Sequence, residues 1–110
     1  MSRSDTVYVR DIIESIDIIF NYLEHKSEHD FIHEQILQDA VIRRFEIIGE
    51  AAAKISESMK MAHPEIEWRL MKAMRNKMIH EYFGVSASTV YNTVIINLPG
   101  LRNKLVKISI

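Results

Sequence analysis

Apolar residues return every three or four positions along almost the whole chain. Tyr8, Ile12, Ile16, Ile19 and Leu23 follow one another at the 3.6-residue period of a helix buried along one stripe. Asp5 stands where an N-cap would open that helix. The polar run His25-Lys26-Ser27-Glu28-His29-Asp30 then reads as a connection. A second stripe, Leu37, Val41, Arg44, Ile48, Ala52, Ile55 and Met59, predicts a long helix from about Phe31 to about Met61. His63-Pro64 should end it, because proline disfavours helix in the residue before it. Arg43, Ile47, Glu50 and Lys54 share the adjoining face.

The third predicted helix starts near Ile66 or Trp68 and stops by Gly84, with Trp68, Met71, Met74, Met78 and Ile79 inward. Ser86 or Ser88 can cap a fourth, whose inward set is Val90, Val94, Ile95, Leu98, Leu101, Leu105 and Ile108. Pro99-Gly100 should kink or split that last helix, since proline removes a backbone donor and crowds the preceding turn. Four helices with short connections predict an all-α, antiparallel four-helix bundle, one domain over residues 1–110.

Composition narrows the picture without changing it. With only 3 glycines and 2 prolines in 110 residues, breakers are too few for a sheet-rich fold. The length suffices to bury roughly 65% of the unfolded surface. The absence of cysteine excludes disulfides and thiolate metal sites. Met1-Ser2-Arg3-Ser4-Asp5 lacks the pattern of a signal peptide and no apolar run could span a membrane, so a cytoplasmic protein is expected. A net charge of −1 argues against general electrostatic binding of nucleic acid, so any RNA contact must use a local patch.

Such a patch is visible. Arg69, Lys72, Arg75 and Lys77 fall within twelve positions that contain no acid, although Glu65, Glu67 and Glu81 lie close by. Inside it, Arg75-Asn76-Lys77-Met78-Ile79-His80-Glu81-Tyr82 brings together a guanidinium, an imidazole and a phenol. Histidine can exchange a proton near neutrality, and arginine can hold the non-bridging oxygens of a phosphodiester. RNA can be cut without metal when its own 2′-hydroxyl attacks phosphorus. Arg-x4-His alone is a weak signal, because a solvated arginine and a helix-end histidine give the same spacing. On a regular helix Arg75 and Tyr82 lie about 20° apart, whereas Arg75 and His80 lie about 140° apart. The arginine could wrap round, the helix could distort near His80, or a second protomer could complete the site across a two-fold axis. Asn76 and Lys77, four and three residues before His80, are its natural neighbours.

Other candidates are weaker. His25, His29 and His33 would form a metal-binding column on a continuous helix, but they fall in the connection. Arg44, inside an apolar stripe, suggests an interface or an ion pair with Glu50, Asp11 or Asp17. Met59, Met61, Met71, Met74 and Met78 suit core and dimer packing.

Several segments in order resemble one family. Ala40-Val41-Ile42-Arg43-Arg44-Phe45-Glu46-Ile47-Ile48-Gly49-Glu50-Ala51-Ala52, His63-Pro64-Glu65-Ile66-Glu67-Trp68, Met74 to Val85 and Leu98-Pro99-Gly100-Leu101 are similar to segments of HepT-like proteins of the HEPN superfamily. The resemblance implies a HEPN-type helical bundle that dimerises and brings two motif copies into one cleft. It implies a metal-independent endoribonuclease, without cofactor, acting as the toxin of a type VII-like toxin–antitoxin pair. Arg75 and His80 would be the catalytic pair, and Asn76, Lys77, Lys72, Arg69 and Arg43 would support RNA binding. Tyr82 matches the tyrosine that a small nucleotidyltransferase antitoxin adenylylates from ATP. The alternative is a non-catalytic helical dimer that binds a partner or RNA. Ser86, Ala87 and Ser88 replace a more acidic start of the last helix, and Tyr91 stands where tryptophan is common.

Overall fold

A computed structural model of the chain describes residues 1–84 and 86–109, apart from the side chains of 80–84. Ser2 opens the first helix, α1 (Arg3–Leu23), by accepting the backbone N–H of Asp5 at 3.0 Å. The expected cap at Asp5 is therefore displaced by three residues. Asp5 is instead a first-turn acid that is buried and engaged elsewhere. Val9, Ile12, Ile16, Ile19 and Leu23 form the buried stripe of α1, with Tyr8 half-buried beside it.

The polar connection contains a short helix, α2 (Glu28–His33). Ser27 and Asp30 form a reciprocal capping box, each side chain taking the other residue's backbone N–H, at 3.0 and 2.9 Å. Sequence periodicity missed this helix because only Phe31 of its six residues is buried.

The long second helix expected from Phe31 to Met61 is three helices. Glu34 adopts an extended backbone (φ −118°, ψ 93°) that separates α2 from α3 (Gln35–Lys54). A second break at Ile55 and Ser56 separates α3 from α4 (Glu57–Ala62), where Ser56 caps the Met59 N–H at 3.2 Å. The apolar stripe continues across that break: Ile55 and Met59 are both buried. Periodicity therefore survives a turn that caps, not apolar residues, determine. His63 does end α4, as expected.

The last two helices are α5 (Trp68–Gly84) and α6 (Ala87–Ile108), the latter capped by Ser86. α6 is unsplit through Pro99. Ile95, whose carbonyl loses its helical donor to that proline, is 52% exposed, so water can take the place of the missing N–H. The inward placement expected for Ile95 is thus wrong, and for the same reason: this side of α6 faces solvent. Val90, Val94, Leu98 and Leu105 carry the buried stripe.

The four long helices α1, α3, α5 and α6 build an all-helical bundle, with α2 and α4 as short additions. α1 packs on α3 and α6, and α5 on α3 and α6, closing a ring around one apolar cluster. Asp17–Arg102 pairs the middle of α1 with α6, and Glu28–Ser88 joins the start of α2 to the start of α6. The two contacts together make α1 and α6 antiparallel. Arg44 is half-buried; Asp17, one of its three expected partners, is taken by Arg102, and Arg44 forms no ion pair among the described residues. Met61 departs from the expected methionine packing by being 79% exposed. No helix among the described residues is long and apolar enough to cross a membrane.

Candidate functional site

α5 carries the candidate chemistry, and its two sides are sharply different. Counting about 100° per residue from Arg75, the buried Met74, Met78, Met71 and Trp68 occupy a sector from about −100° to +20°. Lys72, Asn76, Arg69, Ala73 and Lys77, all exposed, fall at about +60°, +100°, +120°, +160° and +200°. Three of the four expected cations therefore share one solvent-facing surface. No ion pair to Arg69, Lys72, Arg75 or Lys77 occurs among the described residues. Glu65, which could have neutralised them, accepts from His63 at 3.2 Å, and its carboxyl is held below the usual range chiefly by its own backbone amide.

Arg75 is the exception, because its position is inside the packed sector. Its stem lies against α3 at Gly49: a Cβ built on Gly49 would come within 2.6 Å of both the Cβ and the Cδ of Arg75. A glycine inside a helix costs about 0.5–1 kcal/mol relative to alanine, so its use here answers a close approach. From that notch the guanidinium turns along its own helix. Nε and Nη2 both donate to Asn76 Oδ1, at 3.2 and 3.0 Å.

This resolves part of the geometric difficulty at His80. α5 stays α-helical through Gly84, so the helix does not break there, and the separation of about 140° stands. Asn76 lies about 100° from Arg75 in the same rotational sense. Drawing the guanidinium onto Asn76 thus carries the charge from the packed side to the sector of helix on which His80 is placed. The side chains of His80 and Tyr82 lie outside the described residues, so their contacts form no part of this geometry.

The remaining candidates separate from this surface. Arg43, on α3, is exposed and donates to Glu46 at 3.3 Å, a pair of helical neighbours. His25 lies in a turn with φ 62°, while His33 contacts the carbonyl of His29 at 2.8 Å and the two rings stack 4.3 Å apart. No group of three metal-binding side chains occurs among the described residues. On the other flank of α5, Leu70, Met71 and Met74 line a cleft with Ile96 and Leu101 of α6; Leu70 and Ile96 are 41% and 73% exposed.

Gly49 is the participant that sequence reasoning overlooked. It was visible as the one glycine within the Ile48–Ala52 stripe, a position where helix propensity alone would favour alanine.

A helical bundle that wedges an arginine into one helix interface and turns its charge onto a cationic face defines a class of protein suited to phosphate chemistry. The chain belongs to the HepT-like ribonuclease family: the family profile described as "Ribonuclease HepT-like" matches residues 12–108. It is 43% identical over 108 residues to "Probable ribonuclease HepT" of Thermococcus cleftensis, covering 98% of each chain. It is 34% identical to "Putative RNase MJ1216" of Methanocaldococcus jannaschii, covering 96% of this chain and 88% of that one. "Putative RNase TTE0752" of Caldanaerobacter subterraneus is 30% identical, with 92% and 90% covered. No solved structure matches the chain significantly.

Proposed function

We propose that the chain is a metal-independent endoribonuclease, the toxin of a type VII-like toxin–antitoxin pair, working as a homodimer. Family membership over nearly the whole length carries this reading, and the Arg75–Asn76 pair beside cations that form no ion pair among the described residues supports it. In the reaction, a ribose 2′-oxygen attacks the adjacent phosphorus and the bond to the 5′-oxygen breaks. His80 passes the proton, taking it from the 2′-hydroxyl or giving it to the leaving oxygen. Arg75 holds the non-bridging oxygens as their charge grows. Arg69, Lys72 and Lys77 bind the flanking phosphates.

A dimer that pairs two α5 motifs would give each His80 a second arginine to work with, and the exposed Leu70, Ile95 and Ile96 offer apolar surface for such contact. Tyr82 is the regulatory position in this reading. A small nucleotidyltransferase transfers AMP from ATP to its phenol oxygen, releasing pyrophosphate, and the added phosphate repels RNA from the cationic face.

The decisive test is cleavage of single-stranded RNA by purified protein in a chelator. The parent should cut, while Arg75→Ala and His80→Ala, each shown to be folded, should cut at least about a hundredfold more slowly. Equal cutting by all three would refute the assignment.

A further inference from the structure

We propose that Gly49 is a positioning residue for Arg75, an inference that rests on the ribonuclease reading above. An arginine within the packed sector of α5 must leave it to reach a phosphate, and its route is set where the stem crosses α3. The Cβ of Arg75 is fixed to the backbone and cannot swing away. A methyl group at 49 would stand 2.6 Å from that Cβ, 2.6 Å from Cδ and 3.0 Å from Cγ, so three successive carbons of the stem trace the space that glycine leaves.

That tracing restricts the stem to one path, at whose end the guanidinium meets Asn76 Oδ1 through Nε and Nη2. Asn76 is exposed and adjacent in sequence, so it latches the head but cannot restrain the stem. Gly49, 26 positions away and on another helix, does so. Placing a methyl there would part α3 from α5 or send the stem along another rotamer. Either outcome withdraws the charge from the face that carries Arg69, Lys72 and Lys77.

The closing experiment uses the full chain and the variants Gly49→Ala, Arg75→Gly and their double, with kinetics on a short single-stranded RNA. Gly49→Ala should lower kcat about a hundredfold, the scale of a misplaced charge, with KM little changed because the exposed cations remain. In the Arg75→Gly background, which also lacks the colliding Cβ, the same substitution should change residual cleavage less than twofold. Equal losses in both backgrounds would overturn the proposal.

A second readout does not depend on activity. The Arg75 Nε–H resonance should be protected from exchange in the parent and lose that protection in Gly49→Ala, while Arg102 Nε–H, bonded to Asp17, keeps its own. Retained protection at Arg75 would sink the idea. Should Gly49→Ala fail to fold, Gly49→Ala combined with Arg75→Gly should melt within a few degrees of Arg75→Gly alone; a double variant that stays unfolded places the collision elsewhere and overturns the proposal. A folded parent that cuts no RNA would refute the ribonuclease reading, and the resonances would still decide whether Gly49 directs the guanidinium.

Discussion

The carboxylate of Asp5 accepts both the backbone N–H and the hydroxyl of Ser56, at 2.9 and 2.6 Å, across 51 positions of chain. This contact ties the first turn of α1 to the break between α3 and α4. It explains that break: Ser56 is drawn out of the helix to Asp5, and the same hydroxyl then caps α4. Asp5 is 3% exposed, so truncating its side chain leaves the half-buried Ser56 amide without its acceptor.

Asp5→Ala should therefore destabilise the fold by about 2 kcal/mol near neutral pH, the scale of buried hydrogen bonds to a charged group. The Ser56 hydroxyl first, and its amide second, hold the Asp5 carboxyl below its ordinary value. A depressed folded value stabilises above the unfolded value of 3.8 and the benefit fades as pH falls through the lower, folded one. Thermal melts of parent and variant should differ at pH 7, and the gap should narrow as the pH is taken from 3.8 down through the depressed folded value. A gap that does not narrow on acidification would show that Asp5 acts through packing and not through its charge.

Much of the fold could be read from periodicity, and the exceptions share a cause. The stripes of α1, α5 and α6 were legible because each buries apolar residues along a continuous helix. The breaks at Glu34 and Ser56 were not, because Phe31, Val41, Ile55 and Met59 stay in phase across them while polar caps set the backbone. At the site, Arg75 and its cationic neighbours stood out by residue type. Gly49 did not, since its role is an absence that only the approach of α5 gives meaning. Phe45, fully buried but outside the expected stripe, was missed because a register drawn through Arg44 excluded its neighbour.

Phe45→Ala measures how much the core depends on that missed position. Phe45 is 1% exposed, and truncating a buried phenylalanine costs about 3–5 kcal/mol. Against a total of about 5–15 kcal/mol for a domain of this size, the variant should lose a large share of its stability. Urea unfolding followed by circular dichroism reads this directly. A loss below about 1 kcal/mol would mean that the site collapses to fill the space.

Asn76→Ala separates orientation from folding. Asn76 is exposed, so its loss should change stability by less than about 0.5 kcal/mol. It should nonetheless lower kcat about tenfold, because the Arg75 guanidinium loses the acceptor that holds two of its N–H groups. Unchanged kcat in a folded Asn76→Ala protein would show that the arginine finds its place without this latch.

The exposed cations of α5 should act through counterion release. Lys72→Ala and Arg69→Ala each remove one exposed charge that no carboxylate pairs among the described residues. Each should weaken RNA binding across sequences and reduce the slope of log affinity against log salt by about one. Arg43→Ala is the internal comparison, since Arg43 already pairs with Glu46 and lies on α3. An equal change of slope for all three would spread the phosphate contacts over both helices and remove the special standing of the α5 face.

Modification at Tyr82 gives the regulatory half of the proposal its own test. An AMP group brings a phosphate to the position two residues after His80 along α5, on a helix whose exposed side is cationic and otherwise attractive to RNA. Incubation with a cognate nucleotidyltransferase and ATP should add one AMP to the parent and none to Tyr82→Phe, as read by intact mass. The modified protein should lose RNA binding at low salt, and Tyr82→Phe should keep it in the presence of the enzyme. Addition of AMP to Tyr82→Phe would move the acceptor to Tyr8, Tyr22 or Tyr91. The first two lie on α1, away from the cationic helix, so inhibition by charge at the catalytic face would then no longer explain control.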